Sequence, residues 1–192
     1  SVITYFLSSI LILSFPLNKT FLKRPMVWSL FGFVIHLGFF ASLIQITSNN
    51  SLQLTFLEIE SGKFLIFYIV LIAILMDSIA FFAGKSLGKR PFITNVSPNK
   101  TLEGFMAAII LTPFLLSTIS LNILNLPFFL VLCILMVVSL YSVLGDAFAS
   151  MMKRVVEVKD YSNLIPGHGG LFDRLDSHVA AFPCFVFLMN IV

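Results

Sequence analysis

The chain has 192 residues, of which 58% are hydrophobic and only 11% are charged, and its formal net charge is +3. Because soluble domains are typically about 25% charged, these figures exclude an ordinary soluble domain and indicate an integral membrane protein. The length suits a single bundle. Cys133 and Cys184 both lie in apolar segments without metal-ligand spacing, so we expect no disulfide. We expect no nucleic-acid partner.

Six apolar segments follow one another and predict an all-α, polytopic transmembrane helix bundle of about six spans. Segments 2–15 and 179–192 are shorter than the roughly 20 residues that a spanning helix needs, whereas segments 26–46, 64–82, 104–121 and 127–144 approach or reach that length. His36 lies in the middle of the second segment, where a histidine is more often hydrogen-bonded inside a bundle than functional. We expect one integral-membrane domain over residues 1–192.

The connecting loops alternate in charge. Loops 16–25 and 83–103 and the stretch 145–178 hold eleven of the twelve Lys and Arg residues, and the other two connections hold only Lys63. The positive-inside rule therefore predicts that the basic loops face the cytoplasm and that both termini lie outside. We accordingly expect a multi-pass protein of the cell inner (plasma) membrane, with its polar stretch on the side where nucleotides are found.

A polar stretch at 150–176 interrupts the apolar sequence. Its nine ionisable groups include cations that can bind phosphate and carboxylates that can bind a metal. If the fifth segment continues as a helix past Leu144, then Asp146, Ser150 and Lys153 or Arg154 share one face. Anchoring at the membrane surface explains Lys153 and Arg154 equally well. It does not explain Asp146, because an acid at the edge of the hydrocarbon costs up to ~3 kcal/mol and usually has a partner.

Two further features follow in the same stretch. The spacing of Asp173 and Asp176 places both carboxylates on one face of a helical turn, and hard oxygen ligands suit Mg²⁺. A solvated acid pair at a helix start is the alternative. The segment 166–170, PGHGG, cannot be helical; its glycines let backbone amides face an anion, and His168 could contact phosphate or orient a carboxylate. As an isolated pentapeptide it is more typical of an ordinary turn.

The loop 84–104 carries a second cationic cluster. Binding of anionic lipid headgroups, worth roughly 1 kcal/mol per basic residue, accounts for its lysines and arginine. That explanation does not cover Asp77, which lies inside a span. Nor does it cover the crowding of Ser97-Pro98, Lys100-Thr101 and Glu103-Gly104 at the start of the fourth segment.

Taken together, the two polar regions resemble those of the phosphatidate cytidylyltransferase (CDP-diglyceride synthetase) family. The family signature runs Ser-x-x-Lys-Arg, four residues, Lys-Asp, a small residue, Pro-x-His-Gly-Gly and Asp-Arg-x-Asp. It is matched without gap by Ser150, Lys153, Arg154, Lys159, Asp160, Ser162, Pro166, His168, Gly169, Gly170, Asp173, Arg174 and Asp176. An upstream pattern is matched by Asp77, Ser78, Ala80, Gly84, Lys85, Ser97, Pro98, Lys100, Thr101, Glu103 and Gly104, with Phe81 where tyrosine is usual.

This resemblance implies a nucleotidyltransferase that converts CTP and phosphatidate into CDP-diacylglycerol and pyrophosphate in phospholipid biosynthesis. It implies a catalytic half at about residues 77–178, with cytoplasmic active-site loops, and a Mg²⁺ cofactor with a second ion, K⁺ or Mg²⁺. The metal ligands implied are Asp146, Asp173 and Asp176, and the catalytic residues are Asp146, Lys153, Arg154, His168, Asp173 and Asp176. Substrate binding is assigned to Asp77, Ser78, Lys85, Ser97, Lys100, Thr101, Glu103, Ser150, Lys159, Asp160, Gly169, Gly170 and Arg174. A homodimer is also implied, although no feature of the residues indicates it.

Other functions stay open at this stage. A CTP-dependent lipid kinase, or a cytidylyltransferase that acts on another lipid phosphate, would need similar groups. An ion-coupled transporter is a more remote alternative, because acids in transporters usually lie near the bilayer midplane, whereas here they are predicted to cluster at one interface.

Overall fold

Helices that are apolar on almost every side form most of the protein. The computed structural model describes residues 2–17, 19–48, 61–120, 126–162, 164 and 169–192. The helices are α1 (Val2–Leu13), α2 (Lys19–Leu22), α3 (Pro25–Ser48), α4 (Ser61–Leu87), α5 (Leu102–Ser120), α6 (Phe128–Val155) and α7 (Phe172–Ile191). The predicted membrane helix bundle is confirmed.

Four of the helices in the described ranges are long and apolar enough to cross a membrane, namely the segments Ser29–Ser48, Gly62–Leu87, Leu102–Ile119 and Phe128–Val155. Helix α1 is apolar but shorter. Large apolar side chains cover the outside of the bundle; Phe40, Phe67 and Phe82, for example, are all more than half exposed. Such a surface is unfavourable in water and suits contact with lipid tails.

Helix α7 is the central helix, because every residue from 177 to 185 is buried. It packs chiefly against α6 and α3. It begins seven residues before the predicted segment 179–192, since the turn that holds Asp173 and Asp176 is helical. Helix α6 continues to Val155, as the shared face of Asp146 and Lys153 requires.

A small hairpin is the one β-structure in the described part of the chain, and the sequence did not predict it. Strands β1 (Pro91–Ile93) and β2 (Ser97–Thr101) pair antiparallel, with Ile93 opposite Ser97. The side chain of Val96, at the turn, is fully buried in the core that α1, α3, α6 and α7 share. The hairpin is therefore packed into the bundle, and it holds β2 against the membrane helices.

The three basic loops lie at the same end of the bundle. The Lys19 ammonium contacts the Glu157 carboxylate at 2.9 Å, and the Asn95 side-chain amide donates to the Phe15 carbonyl at 3.3 Å. The Arg154 guanidinium donates to the Val96 carbonyl at 3.3 Å. These contacts join the loop after α1, the hairpin and the loop after α6, as the alternating charge pattern predicts.

Candidate active site

Three carboxylates from three helices converge near this end. Asp77 on α4, Asp146 on α6 and Asp176 on α7 lie close enough for Asp146 to act electrostatically on both of the others, and for Asp77 to act on Asp176. We call these three residues the acidic cluster. Carboxylates held near each other and partly out of water repel, so the cluster needs cations to be stable.

Cations from two neighbouring elements meet this need. The Lys100 ammonium, on β2, forms an ion pair with the Asp146 carboxylate. The charges of Lys100 and Arg174 both act on Asp77. The Ser150 hydroxyl lies one helical turn beyond Asp146 and donates to the same carboxylate at 3.5 Å. Three residues that the sequence singled out, Lys100, Ser150 and Arg174, therefore lie around Asp146 or Asp77.

Asp173 occupies a separate, more enclosed position. Its carboxylate accepts from the Lys153 ammonium at 2.8 Å, and the two side chains are only 6% and 11% exposed. The other carboxylate oxygen accepts from the backbone amides of Tyr161 at 2.9 Å and Gly170 at 2.8 Å. The Lys153 charge also acts on Asp176. Asp173 therefore fastens the loop before α7 onto α6, and Lys153 links it to the acidic cluster.

Two glycines explain how close the loop comes to Asp173. Gly169 has φ +80°, and a Cβ on it would lie 3.1 Å from the Asp173 carboxylate and 3.2 Å from that of Asp160. A Cβ on Gly170 would lie 2.5 Å from the Ser162 hydroxyl. The anion that the Gly170 amide meets here is a protein carboxylate, not a ligand. His168, Pro166 and Gly167 lie outside the described residues.

Tyr161 belongs to the same site, although only its position between the matched signature residues pointed to it. Its hydroxyl donates to the Ala149 carbonyl at 3.2 Å, and the Lys153 ammonium lies 5.3 Å from its ring centre. Burial raises the pKa of Tyr161 to about 12, and the negative charges of Asp176 and Asp173 add to the effect. The phenol is therefore neutral at any physiological pH.

Some residues that are predicted to bind substrate make hydrogen bonds within their own loop. The Thr101 hydroxyl accepts from the Gly104 amide at 3.2 Å, as an N-cap of α5 does. The Glu103 carboxylate accepts from the amides of Lys89 at 3.0 Å and Arg90 at 3.1 Å. These bonds shape the loop that carries Lys100, and substrate contact by Thr101 and Glu103 stays a prediction. Lys159 and Asp160 are exposed on the loop after α6, and Ser78 is half-buried on α4.

Two cavities of different character lie beside the acidic cluster. The first cavity, about 490 Å³, is bordered by α4, α5, α6 and the hairpin. Apolar side chains form much of its wall, and its charged and polar lining residues are Asp77, Lys85, Ser97, Asn99, Lys100 and Thr101. The apolar cavity, about 340 Å³, lies between α1, α3, α6 and α7, and Asp176 is among its lining residues. Val143 lines the first and Gly145 the second. These positions are about 200° apart around a helix, so α6 separates the cavities.

The residues fit a hard divalent cation, although within the described ranges no three His, Cys, Asp or Glu side chains come near enough to form a complete metal site. Carboxylate oxygens are the protein ligands that Mg²⁺ prefers, and it commonly takes only one or two of them beside water and substrate phosphate. The Lys100 ammonium on Asp146 shows that a cation is favourable there. Asp146 and Asp176 are near each other as expected, whereas Asp173 is engaged by Lys153, and Asp77 joins the cluster.

Comparison with known proteins gives one consistent result. The family model described as "Cytidylyltransferase family" matches residues 1–192. Phosphatidate cytidylyltransferase of Bacillus subtilis is 40% identical over 139 residues, which are 70% of this chain and 52% of that protein. The enzyme of that name from Haemophilus influenzae is 36% identical over 187 residues, 93% of this chain and 63% of that protein.

A third relative, phosphatidate cytidylyltransferase of Helicobacter pylori strain 26695, is 42% identical over 118 residues, 62% of this chain and 44% of that protein. The matched part of the chain thus covers between 44% and 63% of the length of these three curated relatives. The family model covers the whole chain, and the two polar regions of the chain form one site. This membrane helix bundle therefore belongs to the cytidylyltransferase family.

Proposed function

We propose that the protein transfers the cytidylyl group of CTP to phosphatidate, forming CDP-diacylglycerol and pyrophosphate with Mg²⁺. The observation that carries this proposal is the pair of unlike cavities beside the acidic cluster. A water-soluble polyanion suits the cavity that presents Lys85 and Lys100, and a lipid suits the cavity with apolar walls. The names of the curated relatives support the same reaction.

The chemistry needs charge compensation more than acid–base catalysis. An oxygen of the lipid phosphate attacks the α-phosphorus of CTP, the bond between the α-phosphorus and the bridging oxygen breaks, and pyrophosphate leaves. The attacking phosphate is already ionised at neutral pH, so no general base is required. Two anions must approach each other, however, so cations at fixed positions lower the barrier.

The chain supplies such cations on both sides of the cluster. The positive charges of Lys100 and Arg174 act on the Asp77 carboxyl group, and the positive charge of Lys153 acts on that of Asp176. Asp146 and Asp176 would hold Mg²⁺ together with water and substrate phosphate, and the ion would screen phosphate charge when bound. Arg154, which donates to the hairpin, keeps Lys100 near Asp146 indirectly.

The proposal also includes which end of the bundle faces the cytoplasm. All three basic loops lie at the end of the bundle that holds the site. By the positive-inside rule this supports a cytoplasmic location for that end, on the side of the membrane where CTP is found. Phosphatidate would keep its acyl chains in the bilayer and present its phosphate at the interface. A second ion, K⁺ or Mg²⁺, and a homodimer stay predictions.

The test uses purified protein in lipid nanodiscs with phosphatidate, Mg²⁺ and CTP labelled at either the α- or the γ-phosphate. We expect the α-label in the lipid product and the γ-label in pyrophosphate. Transfer of the γ-label to lipid would show a kinase, and ion flux without nucleotide would show a transporter; either result would overturn the proposal.

Variants connect the reaction to the site. Asp146→Asn and Lys100→Met should each lower turnover about 10²–10³-fold, the size found for a lost transition-state contact. Lys63→Met is the matched control, because Lys63 lies 14 residues before Asp77 on α4, about 21 Å away along the helix. Wild-type turnover in both Asp146→Asn and Lys100→Met would remove the acidic cluster from the mechanism.

A further inference from the structure

The apolar cavity contains a tyrosine from a part of the chain that the family signature does not reach. Tyr5, on α1, is only 3% exposed, and its ring packs edge-on against Phe148 with centroids 6.2 Å apart. Tyr5 lines the cavity, and its hydroxyl lies within electrostatic reach of Asp176 and Tyr161, two other lining residues. The polar end of Tyr5 is therefore at the side of the cavity nearest the acidic cluster.

No hydrogen bond joins the Tyr5 hydroxyl to another described residue, and this oxygen is not among the fully buried unpaired atoms there, so it keeps some accessible area. A tyrosine hydroxyl in such a largely apolar place normally finds a hydrogen-bond partner. The cavity provides room for that partner to be a ligand. Its nearby walls are the side chains of Phe31, Ile35 and Met152, which can pack against hydrocarbon but offer no carbonyl or hydroxyl.

Two other polar side chains along this cavity, Tyr161 and His36, already donate hydrogen bonds to backbone carbonyls. The Tyr161 hydroxyl donates to the Ala149 carbonyl. The Nδ1 atom of His36 lies 2.7 Å from the Gly32 carbonyl, which can only accept, so Nδ1 carries a hydrogen that is already committed to this bond. Of the described residues that line the cavity, Tyr5 is thus the side chain with an uncommitted O–H donor.

The partner that fits Tyr5 is an uncharged acceptor attached to hydrocarbon. The neighbouring Asp176 carboxylate disfavours an anion at the hydroxyl, whereas a neutral carbonyl is compatible with it. An acyl ester has that chemistry, since its carbonyl lies between the phosphate and the fatty chains of a glycerolipid. The cavity has a matching arrangement, because the Tyr5 hydroxyl and Asp176 are near the acidic cluster and most of its other lining side chains are apolar.

We propose that Tyr5 donates a hydrogen bond to an acyl ester carbonyl of the lipid substrate and thereby positions the lipid phosphate at the acidic cluster. This inference rests on the proposed function, because it assigns the lipid to the apolar cavity. It makes Tyr5 a specificity-determining residue that distinguishes ester-linked from ether-linked lipids. Tyr5 takes no part in bond making or breaking.

The experiment compares diacyl phosphatidate with dialkyl (diether) phosphatidate of the same chain length, using wild type and Tyr5→Phe. With the diacyl lipid, Tyr5→Phe should raise the lipid KM roughly three- to tenfold, the factor that one hydrogen bond gives. The KM for CTP and kcat should change less than twofold. With the diether lipid, wild type should already show the raised KM, and Tyr5→Phe should add nothing.

The matched control is Tyr141→Phe, which removes a hydroxyl that lies 3.4 Å from the Val2 carbonyl, next to the same helix α1. It should leave the preference for diacyl over diether lipid unchanged. An equal preference in wild type and Tyr5→Phe would overturn the inference, and so would a wild type that does not distinguish the two lipids, a result that needs no variant to fold. If wild type makes no cytidine lipid from either substrate, the proposed function itself fails.

Discussion

The buried ion pair of Lys153 and Asp173 allows a sharp test of how the site is held together. Replacing Lys153 with methionine keeps the aliphatic stem but leaves the Asp173 carboxylate, only 6% exposed, without its cation. Breaking a buried pair from one side costs about 3–5 kcal/mol. Two backbone amides continue to donate to Asp173, so we expect the lower end, about 3 kcal/mol. For a chain of this size that lowers the melting temperature by roughly 6–12 °C.

A second substitution should then restore stability. Asp173→Asn in the Lys153→Met background removes the unpaired charge, and its carbonyl oxygen can still accept from the amides of Tyr161 and Gly170. We therefore expect the double variant to melt above Lys153→Met and close to wild type. Its turnover should nevertheless stay low, because the cation that acts on Asp176 is gone.

The measurement can use a buried thiol as the reporter of unfolding. Cys184 is 1% exposed, so in a Cys133→Ser background a thiol-reactive dye reports when the core opens. Unfolding in detergent is commonly irreversible, so all variants are heated at one rate. The reasoning is wrong if the double variant melts at or below Lys153→Met, since the cost would then not come from an unpaired charge.

Three further predictions concern residues around this pair. Gly145→Ala should lower both stability and turnover, because its Cβ would lie 2.6 Å from a backbone oxygen of α7. Gly32→Ala, whose Cβ would meet nothing within 4 Å, is the control for stability. An equal melting temperature of the two variants would contradict the tight α6–α7 contact. Lys19→Met removes the exposed ion pair with Glu157 and should leave the melting temperature unchanged, because exposed pairs add little stability. This holds even though the hydrogen bond from Lys19 is the main cause of the lowered pKa of Glu157. A clear drop in the melting temperature would refute the expectation. The raised pKa of Tyr161, about 12, means that its contribution to stability is complete below about pH 10 and is lost as pH rises towards 12. Tyr161→Phe should therefore lose less stability over that range than wild type, and parallel pH–melting curves would contradict the assignment.

Much of the fold follows from hydropathy alone, because a helix that contacts lipid must be apolar over its length. The core segments of α3, α4, α5 and α6 were predicted in this way. The start of α7 was not, since its first turns are charged and read as loop. The hairpin was missed because strands of three and five residues carry too little alternation to recognise.

The acidic cluster was predictable only in part. The cost of an acid in a span marks Asp77 and Asp146 as residues that need partners, but it does not say which partners. Their meeting with Asp176 depends on how three helices pack. The pairing of Asp173 with Lys153 is likewise a tertiary contact. Helical spacing alone therefore does not distinguish Asp173 from Asp176, which lies in the acidic cluster.

The packing of α6 against α7 decides whether this site exists. Gly145 immediately precedes Asp146, and it lets the α7 backbone approach so closely that a single methyl group would not fit. That approach brings Asp176 within reach of Asp146 and places Lys153, two turns later, beside Asp173. The absence of a side chain at Gly145 therefore sets the distance between the carboxylates of Asp146 and Asp176. The signature residues alone cannot produce this arrangement, because each of them relies on a helix contact made by its neighbours.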